Sequence, residues 1–126
     1  MAVEKTKMHN FKELNVWNMS MEIAEEVNLM VEAMPTHQIW TLGSQLLKTT
    51  ISIPSNIAEG CGRASNNQLY YFLNVAMAST FELETQLLLA VRFKAVDKEK
   101  AEETIKKLES VQKMTRKLMD SVLKRK

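Results

Sequence analysis

The segment IWTLGSQLLKTTISIPSNIAEGCG, residues 39–62, carries the clearest structural pattern in this chain. Its apolar side chains recur at spacings of three, four and seven, as along one face of an α-helix: Ile39, Leu42, Leu46, Ile53 and Ile57. Pro54 stands inside the pattern and removes one backbone hydrogen bond, yet the apolar spacing continues across it. We therefore predict one kinked helix over residues 37–60, which Gly60 and Gly62 terminate.

The same periodicity predicts three further helices, over about residues 11–34, 66–94 and 98–123. Only three Gly and two Pro occur, too few turn-forming residues for a many-stranded fold. Few residues connect consecutive helices, and short connections favour antiparallel neighbours. We expect an all-α fold, an antiparallel up-down-up-down four-helix bundle that forms a single domain over residues 1–126.

Capping residues mark the ends of these helices. Asn10 precedes the first helix as a candidate N-cap, and Pro35 ends that helix because the residue before a proline is pushed out of the α region. Ser65 and Gln68 form a capping box at the start of the third helix, and Asp97 is a candidate cap for the fourth.

The helices carry more apolar residues than one buried stripe requires. On the first helix the expected core line is Phe11, Leu14, Trp17, Met21, Ala24, Val27, Val31 and Met34. A second apolar line follows on that helix at intervals of seven residues, and the third helix carries two apolar residues on another face. Large exposed apolar patches usually mark interfaces, so we predict that copies of the chain associate through these extra residues: Val16, Ile23, Met30, Phe81 and Leu88.

The composition is that of an ordinary globular protein, with 45% hydrophobic and 25% charged residues. No run approaches the roughly 18 to 20 apolar residues that cross a bilayer, and we expect no membrane association. Residues 1–10 contain charged side chains and no apolar core, so we expect no secretory signal. Cys61 is the only cysteine, which excludes an intrachain disulfide and favours a reducing, cytoplasmic location.

Charge is distributed unevenly along the chain. Residues 1–97 carry 7 basic and 10 acidic side chains, a net charge of −3, whereas residues 98–126 carry 10 basic and 5 acidic, a net charge of +5. The last stretch contains one acidic residue, Asp120, and six basic residues: Lys113, Arg116, Lys117, Lys124, Arg125 and Lys126. Such a cluster either binds phosphates or is a solvated helix end whose cations complement the helix dipole.

The sequence contains no motif that predicts a catalytic or metal site. Di-metal sites in helical bundles use a Glu-x-x-His motif, and neither His9 nor His37 has a glutamate three positions before it. Cys61 has Arg63 nearby but no histidine that could act as its base. We expect no catalytic residue, metal, cofactor or small-molecule substrate.

Two polar lines run inside the helices. One consists of Gln45, Ser52, Asn56, Glu59 and Arg63, and the other of Ser79, Glu82 and Gln86. Their spacing is helical, so each line either joins a polar network that fixes how the helices or subunits assemble, or faces water.

The run from Ser52 to Gly60, followed by Gly62 and Arg63, resembles the signature of the four-helix-bundle proteins known as 23S ribosomal RNA intervening-sequence proteins. Further matches span nearly the whole chain: Phe11-Lys12-Glu13-Leu14, Val16-Trp17, Gln45-Leu46, Phe72-Leu73, Ala76, Ser79 and the run from Glu82 to Leu87. The resemblance implies an antiparallel four-helix bundle that assembles into a pentameric ring, with association with nucleic acid and no established enzyme activity. Related bundles are accessory proteins of retroelement reverse transcriptases.

This chain departs from the family pattern at several positions. Leu47-Lys48 stands where the family often has two basic residues, Met77 replaces another cation, and the glycine common near Phe93-Lys94 is absent. The leading hypothesis is a homo-oligomer that binds RNA or DNA through Lys48, Arg63, Arg92, Lys94, Lys124, Arg125 and Lys126. The alternative is a structural or protein-interaction scaffold without a nucleic-acid role.

Overall fold

The structure, a computed structural model, describes residues 10–124, and this part of the chain contains helices and no strand. Its four long helices are α1 (Asn15–Glu32), α2 (Ser44–Cys61), α3 (Asn66–Arg92) and α4 (Lys98–Lys124). A short 3₁₀ turn, Phe11–Glu13, precedes α1. The predicted all-α four-helix bundle is therefore confirmed.

Each helix packs against two others, so the four close into a bundle around one core: α1 contacts α2 and α4, and α3 contacts the same two helices. Contacts between α2 and α3 run in opposite directions along the two helices. Ser52 meets Ser79 near the middle, and a Cβ on Gly60 near the end of α2 would approach Leu69 near the start of α3. Gln38, ahead of α2, donates to the Phe93 carbonyl beyond the end of α3. These contacts fit the predicted up-down-up-down order.

The largest fully buried side chains come from all four helices: Ile23, Val27, Leu46, Ile53, Ile57, Leu73, Leu83, Leu87, Leu108, Val111, Met119 and Val122. The apolar line predicted on the second helix is thus the inner face of α2. Along residues 10–124, none of the helices combines the length and the apolar character that a bilayer span requires.

The second apolar line of α1 is part of this core. Val16, Ile23 and Met30 are 4%, 0% and 7% exposed, whereas Met21, expected inside, is 41% exposed. Because α1 packs against both α2 and α4, its buried stripe must be wide enough to serve two neighbours. The prediction that these three residues form an oligomer interface is wrong.

The segment predicted as the start of the second helix is irregular. A helical turn, Thr36–Gln38, is followed by a π-helical segment, Ile39–Gly43, before α2 begins. A Cβ on Gly43 would lie 2.9 Å from Val31 Cγ1, so this segment packs closely against α1. Helix α2 then continues through Pro54, and a kink at that residue stays a prediction.

Two of the predicted helix caps form, and one does not. The Gln68 amide donates to Ser65 Oγ over 3.2 Å, and the Lys100 amide donates to Asp97 Oδ2 over 3.1 Å. Asn10 precedes the 3₁₀ turn rather than α1, and its side chain makes no capping hydrogen bond.

Helix α3 ends at a lysine in the left-handed region of backbone space. Lys94 has φ 58°, its amide donates to the Val91 carbonyl over 3.0 Å, and the Ala95 amide donates to the Ala90 carbonyl over 2.9 Å. These two bonds form a Schellman motif, in which glycine is the usual residue at the position that Lys94 occupies.

Candidate functional site

The structure does not bring the predicted nucleic-acid-binding residues together. Arg63 lies just before α3 and Arg92 is its last residue, and a helix of 27 residues is about 40 Å long. Lys48 is exposed on α2, and Lys124 ends α4 beside the Arg63 end of the bundle. Arg125 and Lys126 lie outside the described residues.

The Arg63 side chain contacts neighbouring residues of α2 and α3. Its guanidinium forms a salt bridge with Glu59, one helical turn earlier, and its Cζ lies 4.8 Å from the centroid of the Phe72 ring. A cation–π contact of this kind is worth about 0.5–1 kcal/mol at an exposed site. Arg63 therefore fastens the end of α2 to α3.

Some residues of the predicted polar lines form a hydrogen-bond network between helices, and others face water. Ser52 Oγ and Ser79 Oγ are 2.8 Å apart and join α2 to α3, and Asn56 Nδ2 donates to the Ser52 carbonyl over 2.7 Å. The other members behave differently: Gln45, Glu59 and Glu82 are exposed, and Gln86 Oε1 is buried without a hydrogen-bond partner among the described residues. The network is thus a short link at mid-helix, and most of the charged groups face water.

Five large apolar side chains of α2, α3 and the segments at their ends are exposed. Trp40, on the π-helical segment, is 80% exposed, and large exposed side chains continue along both helices. They are Trp40, Ile51, Tyr71, Leu89 and Phe93, a set that we name the α2–α3 face, and Trp40 and Phe93 line the same surface pocket. None of the helices of residues 10–124 covers it.

Phe81 and Leu88, two turns apart on α3, are exposed, at 54% and 50%, and their place in an oligomer interface stays a prediction. Phe81 and Met77 form one wall of an open groove of about 690 Å³ between α3 and α4. A hydrogen bond of 3.0 Å from Gln112 Nε2 to Glu84 Oε1 ties the two helices together beside it.

The opposite wall of this α3–α4 groove is basic. Lys113, Arg116 and Lys117 line it in consecutive turns of α4, and Glu109 and Asp120 lie before and after them. The three cations were visible in the sequence as part of the basic C-terminal region. Their position beside an exposed phenyl ring was not, because it depends on the register between α3 and α4.

Lys107, in contrast, forms ion pairs with residues of α1. It forms a salt bridge with Glu26 and lies 3.6 Å from Glu22, and Thr104 Oγ1 donates to Glu26 Oε1 over 2.7 Å. The hydrogen bond to Glu26 raises the pKa of Lys107 above its ordinary value. This cluster fastens α4 to α1.

Cys61 is buried at the end of α2, and burial raises the pKa of its thiol because the thiolate would lose hydration. Over residues 10–124, no three His, Cys, Asp or Glu side chains are grouped so that they could hold a metal ion. His37 is exposed, and His9 lies outside the described residues.

Comparison with known proteins supports the fold and the family. The crystal structure of a protein of unknown function from the S23 ribosomal protein family of Bacteroides thetaiotaomicron is similar, with a TM-score of 0.76 and 24% identity over 83% of this chain and 95% of that chain. No curated protein matches. Residues 12–117 match the family described as 23S rRNA-intervening sequence protein. Since that match covers most of the chain, the protein belongs to the 23S rRNA-intervening sequence protein family.

Proposed function

We propose that this protein is a non-catalytic, self-assembling helical bundle that binds nucleic acid through the exposed cations of α4. The observation that carries the proposal is the group formed by Lys113, Arg116 and Lys117, all exposed on one helix. None of the three forms a salt bridge with another residue of the described range. Because the family description refers to an rRNA intervening sequence, RNA is the first nucleic acid to test.

These three cations would bind nucleic acid through its phosphates. Each lysine or arginine that neutralises a phosphate releases condensed counterions, so affinity falls as salt concentration rises. Three contacts on a single strand give a slope of about −2 in a plot of log affinity against log salt concentration. Assembly of several subunits would add binding strength by linking copies of the same surface.

The α2–α3 face supports self-assembly. Burying a large apolar side chain stabilises an association by about 1.5–3 kcal/mol, and this set contains five exposed ones. We propose a ring of subunits joined through this face, with five as the number that the family resemblance implies. Cys61, the only thiol, supports the non-catalytic part of the proposal because it is buried and its pKa is raised.

Fluorescence anisotropy with a labelled RNA in a series of salt concentrations tests nucleic-acid binding. We expect the triple variant K113Q/R116Q/K117Q to bind at least about tenfold more weakly than the wild type and to show a shallower salt slope. The triple variant K98Q/K100Q/K106Q is the matched control, because it removes the same charge from exposed lysines in the first nine residues of α4. Wild-type protein that binds no nucleic acid at low salt would contradict the proposal.

A protein-interaction scaffold is the second candidate, and the exposure of Trp40 favours it. An indole that is 80% exposed on an otherwise regular bundle is a candidate anchor for another protein surface. Light scattering with chromatography separates the possibilities. Five subunits of 14.5 kDa give a particle of about 72 kDa, and Trp40→Ala should shift it towards the monomer. If the protein assembles but does not bind nucleic acid, the result favours the scaffold function. A wild-type protein that is monomeric would contradict self-assembly.

A further inference from the structure

We propose that the α3–α4 groove binds unpaired nucleotides of a single strand, with a base stacked on Phe81 and the adjoining phosphates held by Lys113, Arg116 and Lys117. This inference rests on the proposed function and names both the site and the form of nucleic acid. It assigns Phe81 to nucleic-acid binding, whereas its apolar character alone predicts a place in an oligomer interface.

The α3–α4 groove contains an exposed aromatic ring. Phe81 is 54% exposed and is the aromatic residue of the groove, while its neighbour Met77 is almost fully buried beneath the surface. Any base can stack on an exposed ring, so a single strand gains from this contact whatever its sequence. In a duplex the bases are already stacked and paired, and a ring at the surface cannot reach their faces without opening the helix.

The charged side chains of the groove all lie on its α4 wall. The three cations occupy the middle of the α4 wall and line the same groove as Phe81. Glu109 and Asp120 lie eleven residues apart at either end, a separation of about 16 Å along a helix. Phosphates are therefore attracted at the centre and repelled at both ends, which fits a short unpaired stretch better than a long continuous strand.

The test compares labelled oligouridine RNA, oligothymidine DNA and an RNA duplex of the same length in one buffer. We expect both single strands to bind at least about tenfold more tightly than the duplex, because stacking on one ring distinguishes them. Phe81→Leu keeps the apolar surface and removes the ring, and it should weaken single-strand binding about tenfold without changing the salt slope. Leu88→Ala, seven residues further on α3, is the control and should bind within about twofold of the wild type.

Charge variants at the ends of the groove give a prediction of opposite sign. Glu109→Gln and Asp120→Asn remove repulsion, so each should strengthen single-strand binding by about twofold to fivefold. Thermal unfolding of every variant establishes that the bundle remains folded. Polyglutamate serves as a polyanion without bases, and it should bind more weakly than oligouridine and be indifferent to Phe81→Leu.

The outcomes separate this inference from the proposed function. Equal binding of wild type and Phe81→Leu, together with a loss in K113Q/R116Q/K117Q, would overturn the stacking site and leave nucleic-acid binding intact. Polyglutamate that binds as tightly as oligouridine would make the groove a site for an acidic protein segment, which also overturns it. Absence of binding to every nucleic acid at low salt would remove both.

Discussion

The hydroxyl oxygens of Ser52 and Ser79 lie 2.8 Å apart across the α2–α3 interface, halfway along both helices. Two small polar side chains can meet directly only where the helix backbones approach closely. The same close approach recurs towards the end of α2, where a Cβ on Gly60 would lie 3.0 Å from Phe72 Cβ and 3.3 Å from the Leu69 carbonyl oxygen.

Gly60→Ala should therefore destabilise the bundle. The added methyl group would press on the backbone and Cβ of α3, and overpacking of this kind costs about 1–3 kcal/mol. Gly62→Ala is the control, because its Cβ would meet carbonyl oxygens at 3.5 and 3.7 Å, which is ordinary contact. Urea denaturation measures both, and equal effects of the two substitutions would show that α2 and α3 are not closely packed at Gly60.

Lys94→Gly should stabilise the protein. Lys94 has φ 58°, and this left-handed conformation costs a residue with a Cβ about 1–2 kcal/mol more than it costs glycine. The same change two residues earlier, Arg92→Gly, should destabilise by up to about 1 kcal/mol, because Arg92 is the last residue of α3 and still has helical backbone angles. Thermal melting should then move by several degrees in opposite directions, and a decrease for Lys94→Gly would contradict the Schellman motif.

The cluster of Lys107 with Glu22 and Glu26 makes a contribution to stability that depends on pH. The pKa of Lys107 is raised, so its contribution is complete below the unfolded value of about 10.4 and disappears as pH rises through the folded value. We expect Lys107→Met to lower the free energy of unfolding by about 0.5 kcal/mol at neutral pH, and this difference should shrink above pH 10.4. Lys106→Met, at an exposed neighbour, should show no such dependence, and a gap that persists in strong alkali would contradict the ion pair.

Cys61 should react with thiol reagents only when the bundle opens. The thiol is buried and its pKa is raised, so the folded protein offers little accessible thiolate near pH 8. We expect a disulfide reagent followed by absorbance to modify the protein rapidly in concentrated urea and slowly in buffer. Rapid modification of the folded protein would contradict the burial of Cys61.

Much of the fold follows from local patterns in the sequence. Ser65 and Asp97 could be identified as caps because a cap depends on residues only three positions away. Leu46, Ile53 and Ile57 could be placed in the core because one helix face determines their burial. These features require no knowledge of neighbouring helices.

Other features depend on how the helices pack and could not be predicted in the same way. The sequence predicts that Ile23 is surplus to the core, but Ile23 is buried because α1 packs against two neighbours. Arg63 and Arg92 appeared to belong to one basic surface, yet α3 separates them. Phe81 and Arg116 are 35 positions apart in the chain, and only the register of α3 against α4 places them in one groove.

The π-helical segment Ile39–Gly43 winds with one residue more than an α-helix would use over the same rise. A deletion of one residue here would restore regular winding and leave Ser44 onward in place, so the buried face of α2 would keep its orientation. Homologues that differ in length by a single residue at this point should thus share the same core, whereas a deletion beyond Ser44 would rotate every later side chain of α2 by about 100°.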